Sequence, residues 1–320
     1  MGVRLSKAAA ARPEGANLAD FSCAFVNNMP DGAFDATERQ FLDLLDTAAG
    51  PDVIEVRRYA FSGVPRGERV ATRLELDYEP VETLLQEAPD VLIVTGSNPV
   101  EERIEDEPYW VDLAQLITWG SEHVASMLLS CLSAHAALGV FDGIERVRLA
   151  TKCTGVFAQE VDVSHPLTVG MKPRITLPHS RTRTVPEQDL RDAGYDIAVR
   201  SDEVGWAVAS RRVDRAQVLL VQGHPEYDPS SLLREYRRDV RRYAQHERDD
   251  EPILPYHCVA PEDWPALEEM HRAIVGGRRD PDLVAAYPFD EVAQRATWPW
   301  HAAAEQLYTN WVNGFTKRSD

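Results

Sequence analysis

The chain has 320 residues, of which 44% are hydrophobic and 27% charged, enough to bury a large core in one or two domains. Its 52 acidic residues against 34 basic ones give a formal net charge of -18, which repels nucleic-acid phosphates and anionic lipid at long range and speaks against both as partners. Any anionic cosubstrate is repelled as well, so a site for one must gather its own arginines and lysines.

Residues 1–18 begin MGVRLSKAAAARPEGAN, which has basic residues but no apolar core of a signal peptide. They read as a loose leader, and no apolar run approaches the roughly 20 residues that a membrane span needs. FSCAFVN, starting at Phe21, is a short apolar run that ends in the polar NNMPDG cluster, as a buried strand entering a loop does. ATERQFLDLLDTA spaces Phe41, Leu44 and Leu45 as on a helix, with Asp35 or Thr37 as the N-cap. VIEVRRYAF reads as a strand, a helix is expected around residues 80–88, and DVLIVTG is a strand buried on both faces. PYWVDLAQLITWGSEH is an amphipathic helix, followed by the strand ASMLLS, then Cys131, then the helix-like LSAHAALGVF. DIAVR, VGWAVAS and QVLLVQG read as further strands, and the charged SLLREYRRDVRRYAQH as a helix. The expected fold class is therefore α/β, a doubly wound, mostly parallel sheet with helices on both faces. Residues 19–320 read as one catalytic domain, with an excursion at about 248–282 read as a surface embellishment.

A nucleophile on the tight turn between strand and helix is exposed at the carboxyl edge of the sheet, and the free N–H groups of the helix favour its thiolate. Cys131 sits at such a junction, where the backbone N–H groups of Cys131 and Leu132 can face the oxyanion of a tetrahedral intermediate. The plain alternative is an ordinary buried cysteine. Of the nine histidines, His224 alone follows an apolar strand at its carboxyl end, in QVLLVQGHPEYD. Glu226, two residues on, can hold one imidazole nitrogen while the other faces the thiol, although a solvated surface turn has the same spelling. The four cysteines, Cys23, Cys131, Cys153 and Cys258, show no CxxC pairing. Neither a disulfide framework nor a metal site is suggested, and a reducing cytoplasm fits them.

The blocks NNMPDGAFDATERQFLDLL, VLIVTGSNPVEERIEDEPYW, SCLSAHAAL, KCTGVF, LPHSR, GHPEYDPSSLLREYRRD and LYTNWVN resemble, in order and spacing across most of the chain, the homoserine O-acyltransferase family. That resemblance implies a class I glutamine-amidotransferase-like fold and a Cys131–His224–Glu226 triad. It also implies a ping-pong reaction through a Cys131 acyl-enzyme, with acetyl-CoA or succinyl-CoA as cosubstrate and L-homoserine as acceptor. No permanently bound cofactor is implied, and a homodimer is. Lys152, Ser180 or Arg181, and Arg238 are by the same resemblance the residues near the amino-acid carboxylate. Arg238 suits a bidentate grip, though REYRRDVRRY also spells a solvated helix face.

The family's Trp-Gly pair after the nucleophile is here Leu132-Ser133, and His135 stands where Gln is common. The loop position that tends to be Gly in succinyl and Glu in acetyl transferases is Val100, with Glu101 next. A branched Val100 narrows the site and a one-residue shift installs Glu101, so the balance tilts toward acetyl. A paralogue acylating another acceptor, or a non-catalytic member of the fold, is the alternative. A glutamine amidohydrolase fits less well, because Leu129-Ser130-Cys131-Leu132-Ser133 lacks both elbow glycines.

Overall fold

The computed structural model describes residues 2–7, 20–87 and 89–316. The first half of the chain alternates strand and helix as β1 (Val3–Ser6), β2 (Phe21–Val26), α1 (Phe34–Ala49), β3 (Ile54–Ala60), α2 (Glu68–Asp77), β4 (Glu79–Pro80), α3 (Val81–Leu84), β5 (Val91–Val94), α4 (Trp110–His123), β6 (Ser126–Ser130) and α5 (Leu132–Asp142). The second half adds β7 (Val147–Val161), β8 (Arg174–Thr184), α6 (Glu187–Asp192), β9 (Asp196–Ser201), β10 (Gly205–Val213) and β11 (Ala216–Val221). It closes with α7 (Ser231–Ala244), α8 (Trp264–Val275), α9 (Pro281–Ala286), α10 (Phe289–Arg295) and α11 (His301–Thr316).

The sheet runs in the order β1-β3-β2-β5-β6-β11-β10-β9-β7-β8, with β4 beside β3. From β1 to β11 every pairing is parallel, and from β11 to β8 every pairing is antiparallel. The central strands are mostly apolar because both faces are covered. In β2, Phe21, Cys23 and Phe25 pack toward α1, α7 and α11, while Ala24 and Val26 pack toward α4 and α5. The same alternation divides Val91 and Ile93 from Leu92 and Val94 in β5, and Leu219 and Val221 from Val218 and Leu220 in β11. Each such Val, Leu, Ile or Phe side chain contributes roughly 1.5–3 kcal/mol on burial.

Chain order reverses at β2, which has β3 on one side and β5 on the other. In an open α/β sheet this reversal leaves a crevice outside the carboxyl ends of the strands. The carboxyl ends of β2, β5, β6 and β11 lead into Asn27, Thr95, Cys131 and Gln222.

Several sequence expectations need correction. The leader contains β1, which pairs in parallel with β3 through Val3–Ile54 to Ser6–Arg57, while residues 1 and 8–18 lie outside the described residues. Helix α1 is capped by Ala33 rather than Asp35 or Thr37, because Phe34 is wholly buried against Tyr78 and draws the first turn into the core. The helix expected at 80–88 is the single turn α3, and α2 precedes it. The 248–282 excursion is not a surface embellishment. Cys258, Leu267, Met270 and Ile274 are buried in the α7–α11 core, and Tyr256 exchanges backbone hydrogen bonds with Thr154 O (3.0 Å) and Val156 N (2.7 Å).

That tie depends on Gly155, whose φ is 146° and where a Cβ would stand 2.5 Å from the Tyr256 carbonyl oxygen. Gly155→Ala is expected to destabilise the protein by about 3 kcal/mol. Chemical denaturation measures this, and an unshifted midpoint would mean that the excursion is not anchored there.

Candidate active site

Cys131 joins β6 to α5 with φ 51° and ψ -104°, a left-handed conformation uncommon for a residue with a side chain. Its N–H donates to Val221 O at 2.7 Å, which fixes the turn between β6 and β11. That bond also removes the Cys131 N–H as an oxyanion donor, contrary to the sequence expectation. Leu132 remains, since the N–H of a first helical residue has no acceptor within its own helix. Opposite stands Gly96, where any Cβ would lie 3.2 Å from Cys131 Cβ. The thiol is half-buried, at the edge of the crevice.

His224 and Glu226 follow β11 on the adjacent loop, both buried. The imidazole Nδ1 lies 2.8 Å from Glu226 Oε1. The opposite nitrogen, Nε2, is buried without a well-aligned hydrogen bond among the described residues, and Cys131 is the polar group beside it. Burial works against charge on this ring, but the Glu226 carboxylate and the Cys131 sulfur outweigh it and hold the imidazole pKa well above its ordinary value. Tyr227 stacks on the ring at 4.2 Å. Its carbonyl accepts from the indole N–H groups of Trp298 (3.0 Å) and Trp300 (2.8 Å), so the connection between α10 and α11 pins the turn from behind.

Cys131, His224 and Glu226 share a cavity of about 40 Å³ with Gly96, Asn98, Ser180 and Glu235. It borders a cleft of about 710 Å³ whose lining includes Lys152, Ser180, Arg181 and Arg238. Lys152 and Ser180 reach it from the β7–β8 hairpin, in which Thr154 pairs with Ser180. Ser180 donates to Glu235 Oε2 at 2.5 Å, and Tyr227 to Glu235 Oε1 at 2.5 Å. Lys152 binds Asp239 at 3.1 Å, and Arg238 grips the same carboxylate at 2.8 and 2.9 Å. Arg181 differs. Its guanidinium donates to His179 Nδ1 (2.8 Å), Cys153 Sγ (3.3 Å) and the Val204 carbonyl, and its burial lowers its pKa.

Glu235 and Asp239 escaped the sequence reading, although their i, i+4 spacing on one face of α7 is the signal for them. Leu132 lines the cleft, and so does Val100, which is 88% exposed and absent from the cavity at Cys131. Glu101 lines neither and is exposed, because the buried Glu107 carboxylate accepts the N–H groups of Val100 (2.6 Å) and Glu101 (2.7 Å) and turns the loop outward. Glu101 is thus turned away from both, while Val100 stays on the lining of the cleft.

The model of the family described as "HTS: Homoserine O-succinyltransferase" matches residues 4–319. The chain belongs to the homoserine O-succinyltransferase family. It is 40% identical to the homoserine O-succinyltransferase of Methylorubrum extorquens over 90% of this chain and 85% of that one, and 38% identical to that of Bradyrhizobium japonicum over 92% and 89%. Among solved structures, a glutamine amidotransferase from Thermotoga maritima aligns with a TM-score of 0.49 at 13% identity, covering 93% of this chain and 99% of that one. Within this homoserine O-succinyltransferase family member, the departures after Cys131 have local partners. Ser133 Oγ donates to Val94 O (2.8 Å) and Ser130 O (2.9 Å), bracing α5 against β5. His135 Nε2 lies 2.9 Å from Gln222 Oε1 and the ring is buried, which lowers its pKa to about 4 and keeps it neutral.

Gly96→Ala is expected to push the Cys131 turn out of place and slow iodoacetamide labelling of that thiol by on the order of tenfold or more. Unchanged labelling would mean that the close approach is not required. Glu226→Gln removes the carboxylate that raises the His224 pKa, so the His224 titration moves to lower pH. Proton NMR of the histidine ring resonances reads the midpoint, and an unmoved one refutes the coupling.

Proposed function

We propose that this protein is a homoserine O-acyltransferase that takes succinyl from succinyl-CoA and works through a Cys131 acyl-enzyme. The observation that carries the reading is the juxtaposition of Cys131, on its strained strand-to-helix turn, with a buried His224 held by Glu226. Membership of a family whose curated relatives bear the name homoserine O-succinyltransferase supports the acceptor and favours succinyl. The tilt toward acetyl rested on Val100 and Glu101; Glu101 lines neither cavity nor cleft, and Val100 lines the cleft without reaching the cavity at Cys131.

Cys131 thiolate attacks the thioester carbonyl, and the developing oxyanion is stabilised by the Leu132 N–H at the amino end of α5. The C–S bond to coenzyme A breaks as the protein thioester forms, and His224, charged beside Glu226, supplies the proton to the departing thiolate. The homoserine hydroxyl then gives its proton to neutral His224 and attacks the acyl-enzyme, releasing the O-acyl ester and the Cys131 thiolate. Glu226 orients the ring by its Nδ1 side throughout.

The acceptor is a zwitterion, and the wall beside Cys131 offers both charges. Lys152 and Arg238 suit its carboxylate, and Glu235, which borders both cavity and cleft, suits its ammonium group. Ser180 orders Glu235, and Arg181, which also lines the cleft, is committed to His179, Cys153 and the Val204 carbonyl.

Intact-protein mass spectrometry tests the chemistry. After mixing with succinyl-CoA, the wild type is expected to gain one succinyl mass that homoserine discharges, and Cys131→Ala to gain none. A wild type that stays unmodified with succinyl-CoA and acetyl-CoA alike sinks the reading, and an adduct with acetyl-CoA alone moves the donor.

A further inference from the structure

The cations of the large cleft are not equivalent. Lys152, Arg238 and Arg248 all engage Asp239, at 3.1, 2.8 and 3.3 Å, Lys152 also reaches Glu235 at 3.6 Å, Arg248 pairs with Asp250 as well, and Arg234 with Asp228 at 3.0 Å, so each has a carboxylate partner within the protein. At the other end, beside Leu132 and His135, stand Arg146 and Arg183. Arg146 has a buried Nη2 with no hydrogen-bond partner among the described residues. Arg183 has its side chain only 18% exposed and, among the described residues, pairs with a 76% exposed Glu102, at 3.5 Å, which Arg148 shares at 3.9 Å. His135 is held neutral and adds no charge.

The position is fixed from two sides. His135 N donates to Cys131 O at 3.2 Å, so its ring lies one turn from the nucleophile. Gln222 Oε1, which accepts from His135, also accepts from Thr184 Oγ1 at 3.1 Å, and Thr184 is the neighbour of Arg183 in β8. Two guanidinium groups thus face one cleft; Glu105 and Glu107 act on Arg146 through charge alone, and its buried Nη2 is left without a hydrogen bond among the described residues. Burial first, and then Arg183, push the Arg146 pKa down, which an anion between the two would relieve.

We propose that Arg146 and Arg183 form an anion subsite for the acyl donor, holding carboxylate or phosphate oxygens while the wall around Asp239 takes the acceptor. The inference rests on the acyltransferase reading above and goes beyond it by dividing the cleft between the two substrates. Planar guanidinium forks suit both anions, and a coenzyme A ester of a dicarboxylic acid carries both.

Arg146→Gln and Arg183→Gln, compared with the matching lysine variants, separate the sources. The KM for succinyl-CoA should rise roughly tenfold with the homoserine KM unchanged. If the acetyl-CoA KM stays put, the anion is the terminal carboxylate. If it rises equally, and calorimetric affinity for free coenzyme A falls, the anion is phosphate. Unchanged donor KM values, or a rise confined to homoserine, overturn the proposal. A glutamine variant that melts early is replaced by its lysine counterpart, which keeps the charge, loses the fork and should show a smaller rise in the same parameter; no rise again overturns it. Should the wild type turn over neither donor, titrations with coenzyme A and with succinate still decide the subsite, since the variants should weaken one of them.

Discussion

The site depends on the backbone at Cys131. A side-chain-bearing residue at φ 51° costs of order 1–3 kcal/mol unless its surroundings over-determine it, and here they do. The Val221 carbonyl holds the N–H, Ser133 ties the first turn of α5 to β5 and β6, and Gly96 leaves room on the remaining side. All three supports lie at the carboxyl ends of neighbouring parallel strands, so the parallel register of β5, β6 and β11 is what brings them together. The buried hydrophobic runs matter to chemistry through this register more than through any direct contact.

The second layer is the turn after β11. His224 can keep its ring aimed at the sulfur only if the turn itself is rigid, and its rigidity is supplied from outside the sheet. Trp298 and Trp300 both donate to Tyr227 O, while Tyr227 stacks on the imidazole and donates through its hydroxyl to Glu235. The carboxyl-terminal helices are therefore linked to the imidazole, and Glu235 links it in turn to Ser180 and Lys152. The polar wall and the candidate triad form one connected network, so displacement of one member is felt by the others.

Much of this was legible in the sequence, for a physical reason. Strands buried on both faces must be mostly apolar, so β2, β5, β6 and β11 stand out as short runs ending in polar clusters, and whatever follows them lies at the crevice. Cys131 and His224 are visible on that ground alone. β7 was missed because its first half is exposed while Val156 and Phe157 are buried, leaving no period to read. α2 was missed because Val70 is its single buried residue. Arg146 and Arg183 carry no local signal of a site, and Glu235 carries only its helical spacing from Asp239. They become neighbours of Cys131 only when the antiparallel hairpin and α7 fold over the sheet edge, which is long-range information.

Charge makes the same point on a larger scale. The chain carries a net -18, yet Arg146, Lys152, Arg181, Arg183, Arg234, Arg238, Arg242 and Arg248 line the cleft against only two carboxylates, Glu235 and Asp239. With a screening length of about 8 Å at physiological salt, the acidic surface is felt weakly inside a walled cleft, whereas groups a few ångströms away dominate. What an incoming molecule meets there depends on which cations are already neutralised. Around Asp239 and Glu235 the wall presents both signs and matches a zwitterion, and a pure anion would gain little by displacing those internal carboxylates. Around Arg146 a second guanidinium stands close and the buried Nη2 has no hydrogen-bond partner among the described residues, so a zwitterion would bring its ammonium group there at a cost. The division of the cleft thus follows from where the two acidic side chains of α7 fall, four residues apart on a single helical face.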